Sequence, residues 1–258
     1  GVIGIQIPPL REHLEDIPEL VDHLIRRLNG RLQKNIRGAS PDVVEQLSRY
    51  SWPGNVRQLE NVIENAYLLC EDDWITQLGL SLEEELQTIL RSTGEIRRSM
   101  NSTQYSKEGS FPPSAMSSDL NRKIRNAAKS PAGVLILGEE GTGSQAIGRE
   151  IHSHSTNSKG PFVIVHCEAI LEDRFEKELF GNPLFEEPKE EDFDGYLRQA
   201  EGGTLFLHEV TAIPYRIQLL LSQMFGNLAI RPTGYSSDMP TDIRIIAYTS
   251  LDPDRALR

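Results

Sequence analysis

One stretch constrains the fold of this chain more than any other: GVLILGEEGTGSQ, residues 133–145. Five residues that read as a strand run into a turn carrying Gly138, Gly141 and Gly143, and a helical pattern follows from Gln145 to Ser153. A strand that feeds a helix through a glycine-rich turn lets successive backbone N–H groups curl around a phosphate, and the helix N-terminus adds the positive end of its dipole. The full pattern asks for lysine at position 144, where this chain has Ser144. The point charge that reaches outer phosphates is therefore missing. Turns of this shape also occur with no ligand, so the loop alone leaves phosphate binding and a bare connection both open.

The rest of the C-terminal half alternates in the same way. Strands are expected at Phe162–His166, Thr204–His208 and from Ile243 to Tyr248, with a helix from Arg216 to Phe225. Continuous apolar strands separated by helices predict an α/β fold: a parallel sheet with helices on both faces. Residues 1–92 read as mostly helical. Leu20, Val21, Leu24, Ile25 and Leu28 recur at helical spacing, and Ser40-Pro41 supplies a cap and a first-turn proline for a second helix carrying Val43, Val44 and Leu47. Trp52-Pro53-Gly54-Asn55 breaks the chain, and a third helix from about Val56 to Leu69 turns Leu59, Val62, Ile63 and Ala66 inward. Between these parts, residues 93–118 are rich in Ser, Thr, Asn, Gly and Pro and read as a linker. The expected organisation is a small all-α piece (1–92), the linker (93–118) and an α/β core (119–258).

Composition bounds the function. The chain has 258 residues and a formal net charge of −11, so DNA contact would need a local basic patch. Arg26, Arg27 and Arg31 share a helical stretch with preceding acidic residues and read as a solvated face, so no direct DNA binding is expected. Cys70 and Cys167, both in apolar context, suit buried reduced thiols of a cytoplasmic protein better than a disulfide. No apolar run reaches membrane-spanning length, and no membrane association is expected.

The segments GVLILGEEGTGSQAIGREIHSHS, PFVIVHCEAI, ELFG, AEGGTLFLHEV, IQLLL and DIRIIAYTS follow one another over about residues 113–255. In order and rough spacing they resemble the core of the sigma-54-dependent transcription activators, a branch of the AAA+ P-loop ATPases. IPPLREHLEDIPELVDHLI and SPDVVEQLSRYSWPGNVRQLENVIENAYLLCEDDWIT, over residues 1–76, look like the end of that core and its helical lid. The resemblance implies ATP or ADP as ligand, contacted by Gly138, Glu139, Gly141, Thr142, Gly143, Ser144 and Gln145, with Arg57 at the place of the lid's nucleotide-sensing arginine. The rival reading of Arg57 is a surface salt bridge to Glu60 or Glu64.

Set against the family pattern, the departures point to lost hydrolysis. The strand that ends Asp-Glu in active members ends His208-Glu209 here. A neutral imidazole is a poor ligand for Mg²⁺, which prefers oxygen, so magnesium is not expected to be organised. Glu209 keeps the place of the residue that polarises the attacking water, as a vestigial catalytic group. The asparagine that restrains this glutamate falls at His166, and the sensor asparagine falls at Ser250. Residues 182–194, NPLFEEPKEEDFD, replace the GAFTGA loop that contacts sigma-54, so that contact is not expected. The arginine-finger segment is not found in these residues. Zinc held by His166, Cys167 and His208 is a possible rival, but the family commonly carries a cysteine at position 167, which assigns Cys167 to the core; no metal site is expected.

The lid piece precedes the core piece. The chain is therefore either a window across two consecutive modules or one composite or circularly permuted module. The two pieces complement each other without overlap, which favours the composite arrangement and predicts that Arg57 approaches the glycine-rich loop. The expected function is a sigma-54-activator-like AAA+ module of a bacterial transcription regulator that binds nucleotide at most, does not hydrolyse it, and serves in regulation or in assembly with like modules. The alternative is a weakly ATP-hydrolysing transcription activator.

Overall fold

The structure, a computed structural model, describes residues 2–32, 34–78, 118–181, 195–225 and 242–251. They divide into two compact units, one of Gly1–Ile7, Ser118–Glu139 and Ser144–Arg258, the other of Pro8–Ser117 and Glu140–Gly143. The strands among the described residues are β1 (Val2–Gln6), β2 (Gly38–Ala39), β3 (Trp74–Ile75), β4 (Gly133–Leu137), β5 (Phe162–His166), β6 (Thr204–His208) and β7 (Arg244–Thr249).

The first unit is a five-stranded sheet in the order β1-β4-β7-β6-β5, parallel throughout. Its central strands are covered on both faces, as their continuous apolar sequence requires. On one face Leu205 and Leu207 of β6 join Val165, Phe175, Leu179, Ile213 and Ile217 in a core cluster. On the other, Phe206 meets the Ser144–Ser153 helix so closely that a Cβ on Gly148 would lie 2.5 Å from its ring. The Ser118–Lys129 helix buries Leu120, Ile124, Ala127 and Ala128. Its C-terminal carbonyls at Ala127 and Ala128 accept hydrogen bonds from the buried Arg244 guanidinium, at 2.5 and 2.9 Å. A cation at that end also complements the helix dipole.

Residues 1–7 depart from the helical assignment given to 1–92. Val2–Gln6 is a strand, in register with β4 from Val2↔Gly133 to Gln6↔Leu137. A five-residue run is too short for its periodicity to separate strand from loop, and the partner that stabilises it lies far along the chain. β1 and the strand before the glycine-rich loop are thus sheet neighbours.

Among its described residues the second unit packs the helices Ile17–Leu32, Pro41–Ser48 and Asn55–Leu69 around one core. Ser40 caps the second helix by accepting the Val43 N–H, and Pro41 sits in its first turn. All five periodic residues of the first helix are buried, as are Leu59, Val62, Ile63 and Ala66 of the third. Arg27 pairs with Glu60 and Arg31 with Glu64, linking the first and third helices. The unit is not purely helical, because β2 and β3 pair in parallel over two residues. Residues 93–117 of the expected linker lie outside the described residues, while Ser118 opens a helix.

Candidate functional site

Within the sheet unit, β4 delivers the chain to the glycine-rich loop. The Tyr248 hydroxyl donates to the carbonyls of Gly138 and Glu139 at 3.2 and 3.3 Å, and the Gly138 N–H donates to Thr249 at 3.4 Å. The Ser144–Ser153 helix begins on Ser144, which is buried, as is Thr142. Gly141 and Gly143 have φ of 81° and 88°, a left-handed backbone that glycine adopts without strain.

The tip of the loop, Glu140–Gly143, groups with the helical unit. There Asn55 Nδ2 donates to the Glu140 carbonyl at 3.0 Å, and the Arg57 N–H donates to the Gly141 carbonyl at 3.2 Å. Asn55 Oδ1 accepts the Leu10 N–H at 2.9 Å, so one fully buried side chain ties two segments together. A Cβ on Gly141 would lie 2.5 Å from the Gly54 carbonyl oxygen and 3.3 Å from Arg57 Cβ. Within this unit Arg57 thus lies against Gly141. Glu60 and Glu64, the acidic neighbours of Arg57 on its helix, pair with Arg27 and Arg31 of the first helix.

A second constellation gathers at the C-terminal ends of β5, β6 and β7. His166 and His208 are register partners on adjacent parallel strands, with ring centroids 5.0 Å apart. Glu168, in the short helical turn after β5, reaches back to both: its Oε1 lies 3.3 Å from His166 Nδ1 and 3.0 Å from His208 Nδ1. An ionised carboxylate only accepts, so both imidazoles donate through Nδ1. Burial opposes the charge on Glu168, but the hydrogen bonds from His166 and His208 outweigh it and hold its carboxyl well below the usual range. The Tyr248 ring lies 4.8 Å from that of His208.

Glu209, next in sequence, has φ 52° and ψ 61°. This left-handed backbone costs a residue with a Cβ about 1–2 kcal/mol. It turns the carboxylate toward the end of β7, where Glu209 accepts hydrogen bonds from the Thr249 hydroxyl and the Ser250 N–H. Cys167 belongs to the hydrophobic core cluster with Val165, Leu205 and Leu207. It is buried, its Sγ is 3.8 Å from the Val165 carbonyl, and burial, with Glu168 and Glu209 nearby, pushes its thiol up to about 12. Cys70, expected to be buried, is only partly so.

Sequence reasoning placed His166, His208 and Glu209 but missed Glu168 and Thr249. Glu168 gave no clear signal, because an acidic residue just after a strand reads as solvated until the β5–β6 register is known. Thr249 carries no signal of its own. The loop fits a phosphate through its backbone, with two left-handed glycines and a helix start, but has Ser144 where a cation is wanted. The strand end does not fit a magnesium site, because the residue in the ligand position is an imidazole already hydrogen-bonded to a carboxylate. Residues 182–194 and the segment after Leu251 lie outside the described residues.

Comparison with known proteins agrees with this architecture. A family model described as the sigma-54 interaction domain matches residues 112–258, more than half of the chain, and one described as an AAA+ ATPase lid domain matches residues 11–95. The chain is 38% identical over 131 residues to the acetoin dehydrogenase operon transcriptional activator AcoR of Bacillus subtilis, covering 50% of this chain and 22% of that protein. It is 29% identical over 209 residues to the transcriptional activator RocR of Bacillus subtilis, covering 81% of this chain and 45% of that one. With the sigma-54-dependent transcriptional regulator SfnR of Pseudomonas fluorescens it shares 34% over 141 residues, 52% of this chain and 37% of SfnR. The chain thus spans less than half the length of each of these relatives. Among solved structures, NtrX from Brucella abortus aligns with a TM-score of 0.50 at 21% identity, over 99% of this chain and 52% of that one, a likeness of fold.

Proposed function

This chain belongs to the sigma-54 interaction domain family of AAA+ transcription activators, and on that premise we propose that it is a module that binds nucleotide weakly, does not hydrolyse it, and acts by regulation or assembly. The observation that carries the proposal is the 3.0 Å contact between His208 and Glu168 at the strand end where the family resemblance puts a magnesium ligand. An imidazole donating its Nδ1 proton there offers no oxygen to a hard cation. Ser144 removes a second positive charge. Losing one charge-stabilising group typically lowers a rate by about a hundred- to a thousand-fold, so two losses together leave little turnover.

Binding is proposed to rest on the backbone of Gly138, Glu139, Gly141, Thr142, Gly143, Ser144 and Gln145, with the Arg57 guanidinium substituting in part for the missing lysine. Partners are proposed to be like AAA+ modules rather than DNA. Contact with sigma-54 is not proposed, because residues 182–194 lack the GAFTGA sequence. No helix among the described residues is long and apolar enough to cross a membrane. The second reading, a weak ATPase, draws on one observation: Glu209 is retained and its carboxylate is held in one orientation.

Thermal unfolding of the pure protein in millimolar ATP or ADP tests the binding half. A ligand that binds only the folded state adds RT ln(1 + [L]/Kd), so a weak site gives a small rise in melting temperature, the same with and without Mg²⁺. A rise of many degrees, or one that needs Mg²⁺, overturns the proposal. The double substitution Ser144→Lys with His208→Asp is expected to add a magnesium-dependent increment without conferring activation of a sigma-54 promoter.

A further inference from the structure

We propose that His166, Glu168 and His208 form a binding site for a first-row transition-metal dication of the zinc class. The inference stands on these residues alone and holds whether or not nucleotide binds.

The sheet builds the site. β5 and β6 run parallel and in register, so their last residues, His166 and His208, present neighbouring rings, and the turn after β5 brings Glu168 against both. One donor atom from each residue lies within 4.8 Å of the other two. Zinc bonds to imidazole nitrogen and carboxylate oxygen measure about 2.0–2.2 Å, which puts neighbouring ligand atoms of a tetrahedral site about 3.3–3.5 Å apart. The Nδ1 to Oε1 separations of 3.3 and 3.0 Å are already near that edge length. Small ring rotations close the remaining distance.

The donor set selects the metal. Two imidazoles and one carboxylate suit zinc and its first-row neighbours, whereas magnesium takes oxygen ligands in an octahedron and keeps its water. Three protein ligands leave a fourth position open to solvent water. The site is reachable, since the side chains of His166 and Glu168 are 38% and 43% exposed, while His208 at 16% supplies the buried wall beside Tyr248. Without metal, the two Nδ1 protons point at Glu168 Oε1; each neutral imidazole offers Nδ1 to the cation once its proton sits on Nε2.

The test uses tag-free protein without nucleotide, titrated with Zn²⁺ against a chromophoric chelator near neutral pH. One equivalent bound by the wild type is expected, with its affinity lowered at least about a hundred-fold in both His208→Asn and Glu168→Gln, since even supporting partners of a metal ligand are worth 10- to 100-fold. Melting curves of the metal-free variants establish that they fold. A measurement that needs no variant runs beside it: stoichiometric Zn²⁺ should block diethylpyrocarbonate modification of His166 and His208, read by mass spectrometry, and leave the exposed His154 reactive. The inference is overturned if no stoichiometric Zn²⁺ binds, if binding is unchanged in folded variants, or if His166 and His208 react equally with and without the metal.

Discussion

The Glu209 carboxylate is fastened to the main chain of Ser250: its two oxygens lie 3.1 and 3.2 Å from the Ser250 nitrogen, and the Thr249 hydroxyl donates to it at 3.2 Å. Ser250 makes this contact through its backbone N–H. Glu209 is thereby held in one orientation at the end of β7.

That fastening has a measurable energy. Glu209→Ala removes hydrogen bonds to a charged group and is expected to lower unfolding free energy by about 1–3 kcal/mol in chemical denaturation. Glu209→Gly loses the same bonds but relieves the left-handed backbone, so it should be the more stable of the two variants. An alanine variant as stable as the wild type would contradict this account.

Glu168 sets an acid limb. Its folded carboxyl is held below the ordinary value by the two histidines, so the stability it contributes is present above the unfolded glutamate value, about 4.3, and is lost as pH falls through the lower folded value. The wild type should therefore lose stability steadily below about pH 4.3, and Glu168→Gln should flatten that limb. Superimposable acid limbs for the two proteins would refute the assignment.

Gly141→Ala tests the loop. The new Cβ would sit 2.5 Å from the Gly54 carbonyl oxygen, on a backbone with φ of 81°. Clash and backbone strain together predict a loss of roughly 2–4 kcal/mol and disappearance of any nucleotide-dependent melting shift. An unperturbed variant would mean that Gly54 and the loop are not in contact in solution.

Most of this architecture was legible before any coordinates. β4, β5 and β6 fall where their apolar runs put them, and Ser40 caps its helix as its sequence implies, because these signals are local. β1 was not legible, because a five-residue run gains its identity only from a partner far along the chain. Neither was the role of Glu168: an acidic residue after a strand looks solvated until the register of β5 and β6 sets two imidazoles beside it. Arg57 lay between these cases. Its motif marked it, and the hydrogen bond from its N–H to the Gly141 carbonyl came only from the structure.

Thiol labelling separates the two cysteines. Cys167 is buried with its thiol pushed up to about 12, so neither access nor thiolate is on offer, whereas Cys70 is partly exposed. Native protein should take up one equivalent of iodoacetamide, at Cys70, and a second only on unfolding. Reaction of Cys167 in the native state would show that the core around β5 opens.

The most direct test of the central claim is phosphate release by pure protein at saturating ATP, with and without Mg²⁺, beside Glu209→Gln as a blank. Release at the level of the blank in both conditions is the predicted result; saturable, magnesium-dependent release abolished by Glu209→Gln would show that hydrolysis survives the changes at Ser144 and His208 and would contradict the account.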